Sequence, residues 1–351
     1  EEKQDLELPV RDDRHQAYED FRLCVNETLI GRENYLFNYY PQQEGLEDLR
    51  RSVQKLMLDS AVYASRDQLV LTSGTQQALY ILSQIDFPNQ KERILVEQPT
   101  YHRINDLLLA QKLPYETIER TPQGINLQEL ERIFQSGKIK FFYTIPRFHY
   151  PLGHSYSRQD KEEILRLAQL YNVYIVEDDY LSDFDGRREL TFHYLDNSQR
   201  VIYIKSFSTS LFPALRITAL LLPPQIQTTF IAYKSAVDYD SNLIMQKALS
   251  LYIDSLMFEK NRLALLQLQE EEARKAQTLL EHAQLPLSSY LTKDGILLDL
   301  RSLSSVSALK HSSLPLDFFE QSYLASCPYQ YAKLPYDNLE KNVEKLKDYL
   351  K

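Results

Sequence analysis

The sequence contains no tryptophan, two cysteines and eight glycines among its 351 residues. Two cysteines, Cys24 and Cys327, are too few for a disulfide framework or a thiolate metal site, so the chain is expected in a reducing, cytoplasmic compartment. Apolar runs such as residues 217–223 fall well short of the roughly 20 residues that a membrane span needs. The composition therefore argues against a disulfide scaffold, a thiolate metal site and a membrane protein.

Basic residues are also in deficit, with 40 Lys and Arg against 49 Asp and Glu and a net charge of −9. Because phosphate contacts need a basic face, we do not expect this segment itself to bind nucleic acid. The first residues, Glu1-Glu2-Lys3, are polar and do not resemble a secretory signal. Since no initiating Met is present, we expect a fragment of a longer protein, whose other part is able to reach DNA.

What is present is typical of a globular protein, with 43% hydrophobic and 25% charged residues. From residue 68 onward, short apolar runs alternate with amphipathic helical segments, which predicts a doubly wound, mostly parallel sheet. A helix is expected to begin at Ser157, with Asp160 completing its cap. The predicted strands are 68–71, 93–97, 140–145, 172–177, 201–204 and 216–222.

The pattern changes after Pro223-Pro224, where long charged helices, a strand at 295–300 and a terminal helix from about residue 337 indicate a second, smaller α+β unit. We therefore predict three parts. They are an N-terminal segment (1–38), a large domain (39–225) and a small C-terminal domain (226–351).

Several residues with chemical potential follow the predicted strands, at the edge where open α/β sheets bind ligands. Gly74 allows backbone N–H groups to approach a phosphate, and Arg216 can bind one bidentately. Tyr101 can stack on a flat ring, and a buried Asp178 can keep a pyridine nitrogen protonated. Plainer explanations exist for each: a turn glycine, a surface salt bridge, a packing tyrosine, and a helix cap or a Mg²⁺ ligand paired with Asp179.

The order of these pieces resembles the aminotransferase-like domain of the MocR subfamily of GntR transcription regulators, a branch of the fold-type I pyridoxal-phosphate proteins. The resemblance implies an aminotransferase-like large domain with a smaller C-terminal domain. The motifs that carry it include Tyr39-Tyr40-Pro41, Leu71-Thr72-Ser73-Gly74-Thr75-Gln76, Gln98-Pro99-Thr100-Tyr101, Val176-Glu177-Asp178-Asp179-Tyr180, Ser206-Phe207-Ser208 and Leu211-Phe212-Pro213-Ala214-Leu215-Arg216.

The resemblance also implies roles for individual residues. In the family pattern the ring of pyridoxal phosphate would stack on Tyr101, with Asp178 at its nitrogen and Tyr180 at its phenolic oxygen. Arg103 would match a family arginine that receives the carboxylate of an amino-acid effector, and Lys333 would stand where the family has the arginine that binds the substrate carboxylate. The effector itself would be an amino acid, an amine or a molecule like pyridoxal phosphate. The cofactor phosphate would be held by Thr75, Gln76, Ser206, Ser208 and Arg216. The family further implies a homodimer.

One position breaks the family pattern. The residue after Ser-Phe-Ser, which in the family is the Schiff-base lysine, is Thr209. Without that amine no catalytic residue is predicted, and pyridoxal phosphate would bind non-covalently or not at all. Lys205 is not expected to replace the missing lysine, because at the ordinary strand rise it begins about 13 Å from position 209, beyond what its side chain can recover. Two further departures are Lys333, where the family has an arginine, and Tyr150 before Pro151-Leu152-Gly153.

Three functions remain open from the sequence. The leading hypothesis is a catalytically inactive, effector-sensing domain of a MocR-type regulator whose winged-helix DNA-binding part lies outside this chain. The first alternative is a pyridoxal-phosphate-dependent aminotransferase acting on an amino acid, in which Thr209 is an engineered replacement of the lysine or another amine is recruited in its place. The second is a dimerisation scaffold whose cleft binds nothing.

Overall fold

The computed structural model describes residues 15–31, 33–187, 189–239 and 241–350. The first 14 residues of the predicted N-terminal segment lie outside the described part of the chain. None of the helices in these ranges combines the length and the apolar character that crossing a membrane requires.

The main element is a seven-stranded sheet in the order β1-β7-β6-β5-β4-β2-β3. Strands β6, β5, β4, β2 and β3 are parallel, whereas β7 runs antiparallel to both β1 and β6. This confirms the predicted mostly parallel α/β fold. The strands are β1 (Leu69–Thr72), β2 (Arg93–Gln98), β3 (Tyr115–Glu119), β4 (Ile139–Thr144), β5 (Tyr174–Asp178), β6 (Val201–Ser206) and β7 (Thr218–Leu221).

Helices cover both faces of this sheet. The helices of the described residues are α1 (His15–Ile30), α2 (Glu47–Asp59), α3 (Gly74–Gln84), α4 (His102–Ala110), α5 (Leu127–Gln135), α6 (Arg158–Leu170), α7 (Phe192–Leu195), α8 (Pro224–Val237), α9 (Leu243–Asp254), α10 (Met257–Ala283), α11 (Ser307–Lys310) and α12 (Leu339–Tyr349). Apolar residues of α3, α4 and α8 pack on one face. Those of α1, α2 and α9, and of α5, α6 and α7, form two clusters on the other.

The strand period of two decides which side chain meets which helix layer. On β5, Tyr174 and Val176 contact the α3 side, whereas Ile175 contacts the α6 side. On β6, Ile204 lies on the α3 side and Tyr203 on the opposite one. Because each side chain two positions along shares a face, Asp178 and Ser206 end their strands on the α3 side.

The predicted cap of α6 is confirmed, since the Ser157 side chain accepts a hydrogen bond of 3.0 Å from the Asp160 backbone N–H. This bond satisfies one of the N–H groups that a helix start leaves without a partner.

The second unit is built on an antiparallel sheet of β8 (Ser289–Leu291), β9 (Gly295–Asp299) and β10 (Tyr331–Pro335). Its core begins at Ala276, within α10, and continues to Leu346 on α12. Helices α8 and α9 instead pack against the large sheet. The core of the small sheet thus begins about 50 residues after position 225, where the sequence predicted the boundary between the two domains. The position of that boundary stays a prediction.

Candidate functional site

A cleft lies at the carboxyl ends of the parallel strands, between the large sheet and the turn that joins β8 to β9. The eight predicted cofactor contacts all line it, and so does Thr209; these residues are Thr75, Gln76, Tyr101, Asp178, Tyr180, Ser206, Ser208, Thr209 and Arg216. The remaining lining residues are His102, Ile145, Tyr150, Leu181, Pro213, Lys293 and Asp294. Residues as far apart in the sequence as Thr75 and Asp294 therefore form one surface.

One end of the cleft is suited to an anion. Helix α3 begins at Gly74 without a side-chain cap, so backbone N–H groups of its first turn are available there. Gly74 has φ of +84°, and a Cβ at this position would lie 2.4 Å from a guanidinium nitrogen of Arg216. The Arg216 guanidinium is exposed and donates a 3.1 Å hydrogen bond to Gln76. A glycine is favoured here because a side chain would strain the backbone at this φ and would displace the Arg216 guanidinium.

Asp178 is the buried acid of the cleft. Its Oδ2 accepts a 2.5 Å hydrogen bond from the Tyr143 hydroxyl, whereas its Oδ1 has no hydrogen-bond partner among the described residues. Burial raises the pKa of Asp178 from 3.8 to about 7; the Tyr143 hydrogen bond opposes this rise and neighbouring Asp179 adds to it. A buried carboxylate oxygen without a partner is costly, so a cationic N–H donor would stabilise it.

Thr209 and Tyr180, which also line the cleft, carry no nucleophilic amine. The Thr209 hydroxyl donates a 2.7 Å hydrogen bond to the backbone carbonyl of Tyr180. The Tyr180 hydroxyl in turn donates to the backbone carbonyl of Phe148 at 3.1 Å. Burial raises the pKa of Tyr180 well above 10, so this phenol stays protonated at neutral pH.

Lys205 does not replace the family lysine in this geometry. Its Nζ lies 2.5 Å from Asp183 Oδ1 and 2.8 Å from the Ser182 hydroxyl, and its side chain is 3% exposed. It follows Ile204 and precedes Ser206 on β6, so it faces the side of the sheet opposite the cleft.

The two residues predicted to contact an effector are not among those that line the cleft. Arg103 lies on α4, with a guanidinium nitrogen 3.7 Å from Asp106. Lys333 lies on β10, with its Nζ 2.5 Å from Oδ2 of Asp294, a residue that does line the cleft. Their roles stay predictions.

Sequence reasoning missed Lys293 and Asp294, which lie in the turn between β8 and β9. The available signal was the Lys293-Asp294-Gly295 sequence before an apolar strand, which is typical of a hairpin turn. Gly295 is required there, since a Cβ would lie 2.5 Å from the backbone oxygen of Leu334. The sequence does not indicate that this turn points towards the cleft.

Two hydrogen bonds and one close packing contact are among the contacts between the β8–β9 hairpin and the large domain. Lys293 Nζ donates a 2.9 Å hydrogen bond to the Phe184 carbonyl, and Gln123 donates one of 2.9 Å to the Tyr290 hydroxyl. The third contact is so close that a Cβ on Gly153 would lie 2.6 Å from the Thr292 side chain. The hairpin is thus held firmly against the rim of the cleft.

The adjacent carboxylates Asp178 and Asp179 do not share a site. Both oxygens of Asp179 accept 2.5 Å hydrogen bonds from the Arg147 guanidinium, which also bonds Asp185 at 2.7 Å. The Tyr203 hydroxyl adds a further bond to Asp179. Across the described ranges, the structure contains no group of three or more His, Cys, Asp or Glu side chains suited to a metal ion. The geometry therefore gives no support to the Mg²⁺ alternative.

Comparison with curated proteins finds mainly HTH-type regulators, together with aromatic-amino-acid aminotransferase 1 of Thermococcus litoralis, which is 28% identical over 232 residues and covers 63% of this chain and 55% of that protein. The chain is 38% identical over 323 residues to the uncharacterized HTH-type transcriptional regulator YcxD of Bacillus subtilis, covering 89% of this chain and 72% of that protein. It is 30% identical over 207 residues to the probable rhizopine catabolism regulatory protein MocR of Rhizobium meliloti, covering 58% of this chain and 41% of that one.

Comparison with solved structures finds aminotransferases. Kynurenine aminotransferase of Pyrococcus horikoshii, solved in complex with PMP, KYN and KYA, superposes with a TM-score of 0.81 at 23% identity, covering 95% of this chain and 87% of that one. The α-aminoadipate aminotransferase LysN of Thermus thermophilus, solved with N-(5'-phosphopyridoxyl)-L-leucine, gives 0.79 at 20% identity, covering 95% and 88%. At these identities the likeness establishes the fold.

The family assignment rests on a match that covers most of the chain. The family model described as aminotransferase class I and II matches residues 22–290, which include the whole large sheet and every predicted cofactor contact. Together with the two-sheet architecture and the regulator relatives, this match shows that the chain belongs to the aminotransferase class I and II family.

Proposed function

We propose that this chain is the effector-sensing, catalytically inactive aminotransferase-like part of a MocR-type transcription regulator. Its similarity to HTH-type regulators supports this assignment. Binding of a small molecule in the cleft would change the arrangement of the two domains and so reposition a DNA-binding part. That part would be a winged helix outside this chain, and the net charge of −9 fits a module that leaves DNA contact to another segment.

The observation that carries the inactivity is the residue at position 209. Its side chain lines the cleft and ends in a hydroxyl that donates to the Tyr180 carbonyl. A hydroxyl cannot form the covalent anchor that a lysine amine gives to an aldehyde cofactor, nor serve as the base that moves a proton during transamination. The amine nearest in sequence, Lys205, is engaged with Asp183.

The residues of the cleft fit pyridoxal phosphate as a non-covalent ligand. Oδ1 of Asp178 lacks a donor, which a protonated pyridine nitrogen would supply. The start of α3 and the Arg216 guanidinium would hold the phosphate, and Tyr101 would lie against the ring. When bound to an enzyme, this cofactor acts as an electron sink that stabilises negative charge on an attached carbon. In this chain we propose recognition without that chemistry.

The proposal is tested by mixing the purified protein with pyridoxal phosphate, reducing with borohydride and mapping any labelled lysine by mass spectrometry. We expect calorimetric binding but no specific label. The Thr209→Lys variant should then acquire a label at position 209 and a visible absorbance band, because it restores the family amine. The control Thr228→Lys places a lysine on the exposed surface of α8 and should gain neither.

One observation favours the alternative, an active aminotransferase: an amine, that of Lys293, does line the cleft. Specific borohydride labelling of Lys293 in the natural sequence, together with turnover of an amino acid, would support the enzyme and contradict our proposal. The absence of any heat with pyridoxal phosphate, amino acids and amines would instead favour a scaffold.

We further propose a homodimer. Three apolar side chains near the start of the described chain are largely exposed: Ile30 by 82%, Phe37 by 65% and Tyr39 by 85%. Exposed apolar surface of this kind is often covered by a partner. Sedimentation equilibrium of the purified chain measures the state directly.

A further inference from the structure

Lys293 is a cation of the cleft that forms no ion pair with a described carboxylate. Its Nζ donates one hydrogen bond, to the Phe184 carbonyl, and lies 4.4 Å from the centroid of the Phe148 ring. No described carboxylate lies within ion-pair distance of it. Because an ammonium group has three N–H donors, donors remain for a ligand.

Lys333, by contrast, has its charge neutralised. Its side chain is 8% exposed, and its Nζ is paired with Asp294 at 2.5 Å. The other oxygen of Asp294 accepts from the Thr292 hydroxyl at 2.9 Å. Seen from the cleft, this pair presents no net charge to an anion.

We propose that Lys293, rather than Lys333, receives the carboxylate of an amino-acid-type ligand bound in the cleft. This inference rests on the proposed function, because it assigns a contact within the same site. Lys293 belongs to the small domain, whereas Arg216 and the start of α3 belong to the large one. A ligand with an anionic group at each end would therefore bridge the two domains, which is what a sensor that responds by domain movement requires.

The local environment agrees with this role. Burial is the main cause that lowers the pKa of Lys293, while Asp185 and Glu270 oppose the shift from a longer distance. A bound carboxylate would stabilise the charged amine and reverse this shift. The half-buried position also strengthens the contact, since solvent screens it less than it would a surface pair.

The experiment compares two probes that differ only in the carboxylate. The first is N-(5'-phosphopyridoxyl)-L-leucine, and the second is the same adduct made with 3-methylbutylamine. Both are titrated calorimetrically into the natural chain, into Lys293→Gln and into Lys310→Gln. The control Lys310 is also a small-domain lysine above an aromatic ring, 3.5 Å from the Tyr329 centroid, but it does not line the cleft.

We expect the natural chain and Lys310→Gln to bind the leucine adduct about tenfold more tightly than the amine adduct, the size of one charge-assisted contact. In Lys293→Gln the two affinities should differ by no more than about twofold, with the amine adduct bound as in the natural chain. Unchanged thermal unfolding of Lys293→Gln would establish that this variant is folded.

Different outcomes separate the two proposals. Equal binding of both adducts by the natural chain would overturn the role of Lys293 while leaving the cofactor-type cleft intact. A tenfold preference that persists in Lys293→Gln and disappears in Lys333→Gln would return the role to Lys333. Failure of the natural chain to bind either adduct would contradict the proposed function, and with it this inference.

Discussion

Asp178 and Asp179 are neighbours at the end of one strand, yet their surroundings are opposite. Asp179 is saturated by the Arg147 guanidinium and the Tyr203 hydroxyl, on the side of the sheet away from the cleft. Asp178 has one hydrogen bond, one bare oxygen and a pKa raised to about 7. The two arginines differ in the same way, since Arg147 is buried between two carboxylates while Arg216 is exposed beside a helix start. The difference teaches that fully paired charges belong to the scaffold, whereas the incompletely paired ones mark the place for a ligand.

The largest effect on stability is expected from removing the arginine that pairs with Asp179. Arg147→Met would leave Asp179 and Asp185 buried without their cation, which should lower the free energy of unfolding by about 3–5 kcal/mol. Urea denaturation followed by circular dichroism measures this loss. The control Arg132→Met removes an arginine from an exposed pair with Glu129 on α5 and should change stability very little. Equal losses in the two variants would contradict the distinction between saturated and surface pairs.

On the cleft side of the sheet, the substitution Asp178→Asn should stabilise the protein. The pKa of Asp178 is raised in the folded state, so between about pH 4 and pH 7 the folded chain keeps a proton that the unfolded chain has lost. Stability contributed by this group therefore falls as pH rises through that window, and the full penalty is present above pH 7. Asp178→Asn removes the penalty and should increase the free energy of unfolding at pH 8, by on the order of a few kcal/mol.

The gain from Asp178→Asn should shrink as the pH is lowered and vanish below about pH 4. The same variant should lose affinity for pyridoxal phosphate, since an amide does not keep a pyridine nitrogen charged. Asp179→Asn is the matched comparison and should destabilise the chain, because it weakens the Arg147 pair. If both substitutions acted in the same direction at pH 8, the two aspartates would not differ as described.

The smallest effect on stability is expected at Gly74. Gly74→Ala should cost about 1–2 kcal/mol because of its positive φ, and its Cβ should also displace the Arg216 guanidinium. Gly137→Ala is the control, since Gly137 has φ of +69° but no atom within 4 Å of an added Cβ. Both variants should unfold more easily, but only Gly74→Ala should weaken the binding of inorganic phosphate in calorimetry. Equal phosphate affinity in the two would argue against an anion site at this helix start.

Much of the fold could be predicted because buried parallel strands consist of short apolar runs. Strands β2, β4 and β9 lie within one residue of their predicted limits. Strand β3 was not predicted; it is an edge strand in which only Ile118 is buried, so its sequence lacks the apolar run that marked the others. Helices α1 and α2, before the first strand, were likewise not predicted.

The site was predictable to the extent that it consists of strand ends. Asp178 and Ser206 end apolar strands, and the family resemblance indicated the other residues of the site. Lys293 was beyond reach because its position depends on how one hairpin packs against a second domain, which no local pattern encodes. The pairing of Lys333 with Asp294 was missed for the same reason, since it joins a residue of β10 to a residue of the β8–β9 turn that lies 39 positions earlier in the sequence.

The three contacts of the β8–β9 hairpin have a mechanical consequence. Because the Lys293 and Gln123 hydrogen bonds and the tight Gly153 packing are all made by one short hairpin, a rotation of the small domain that moves this hairpin would break them together. We expect such a motion to be cooperative, with two well-separated positions and few stable intermediates. A sensor with such a joint would report ligand as a discrete signal instead of a proportional one, and part of its threshold would be set by Gln123 and Gly153, which do not line the cleft.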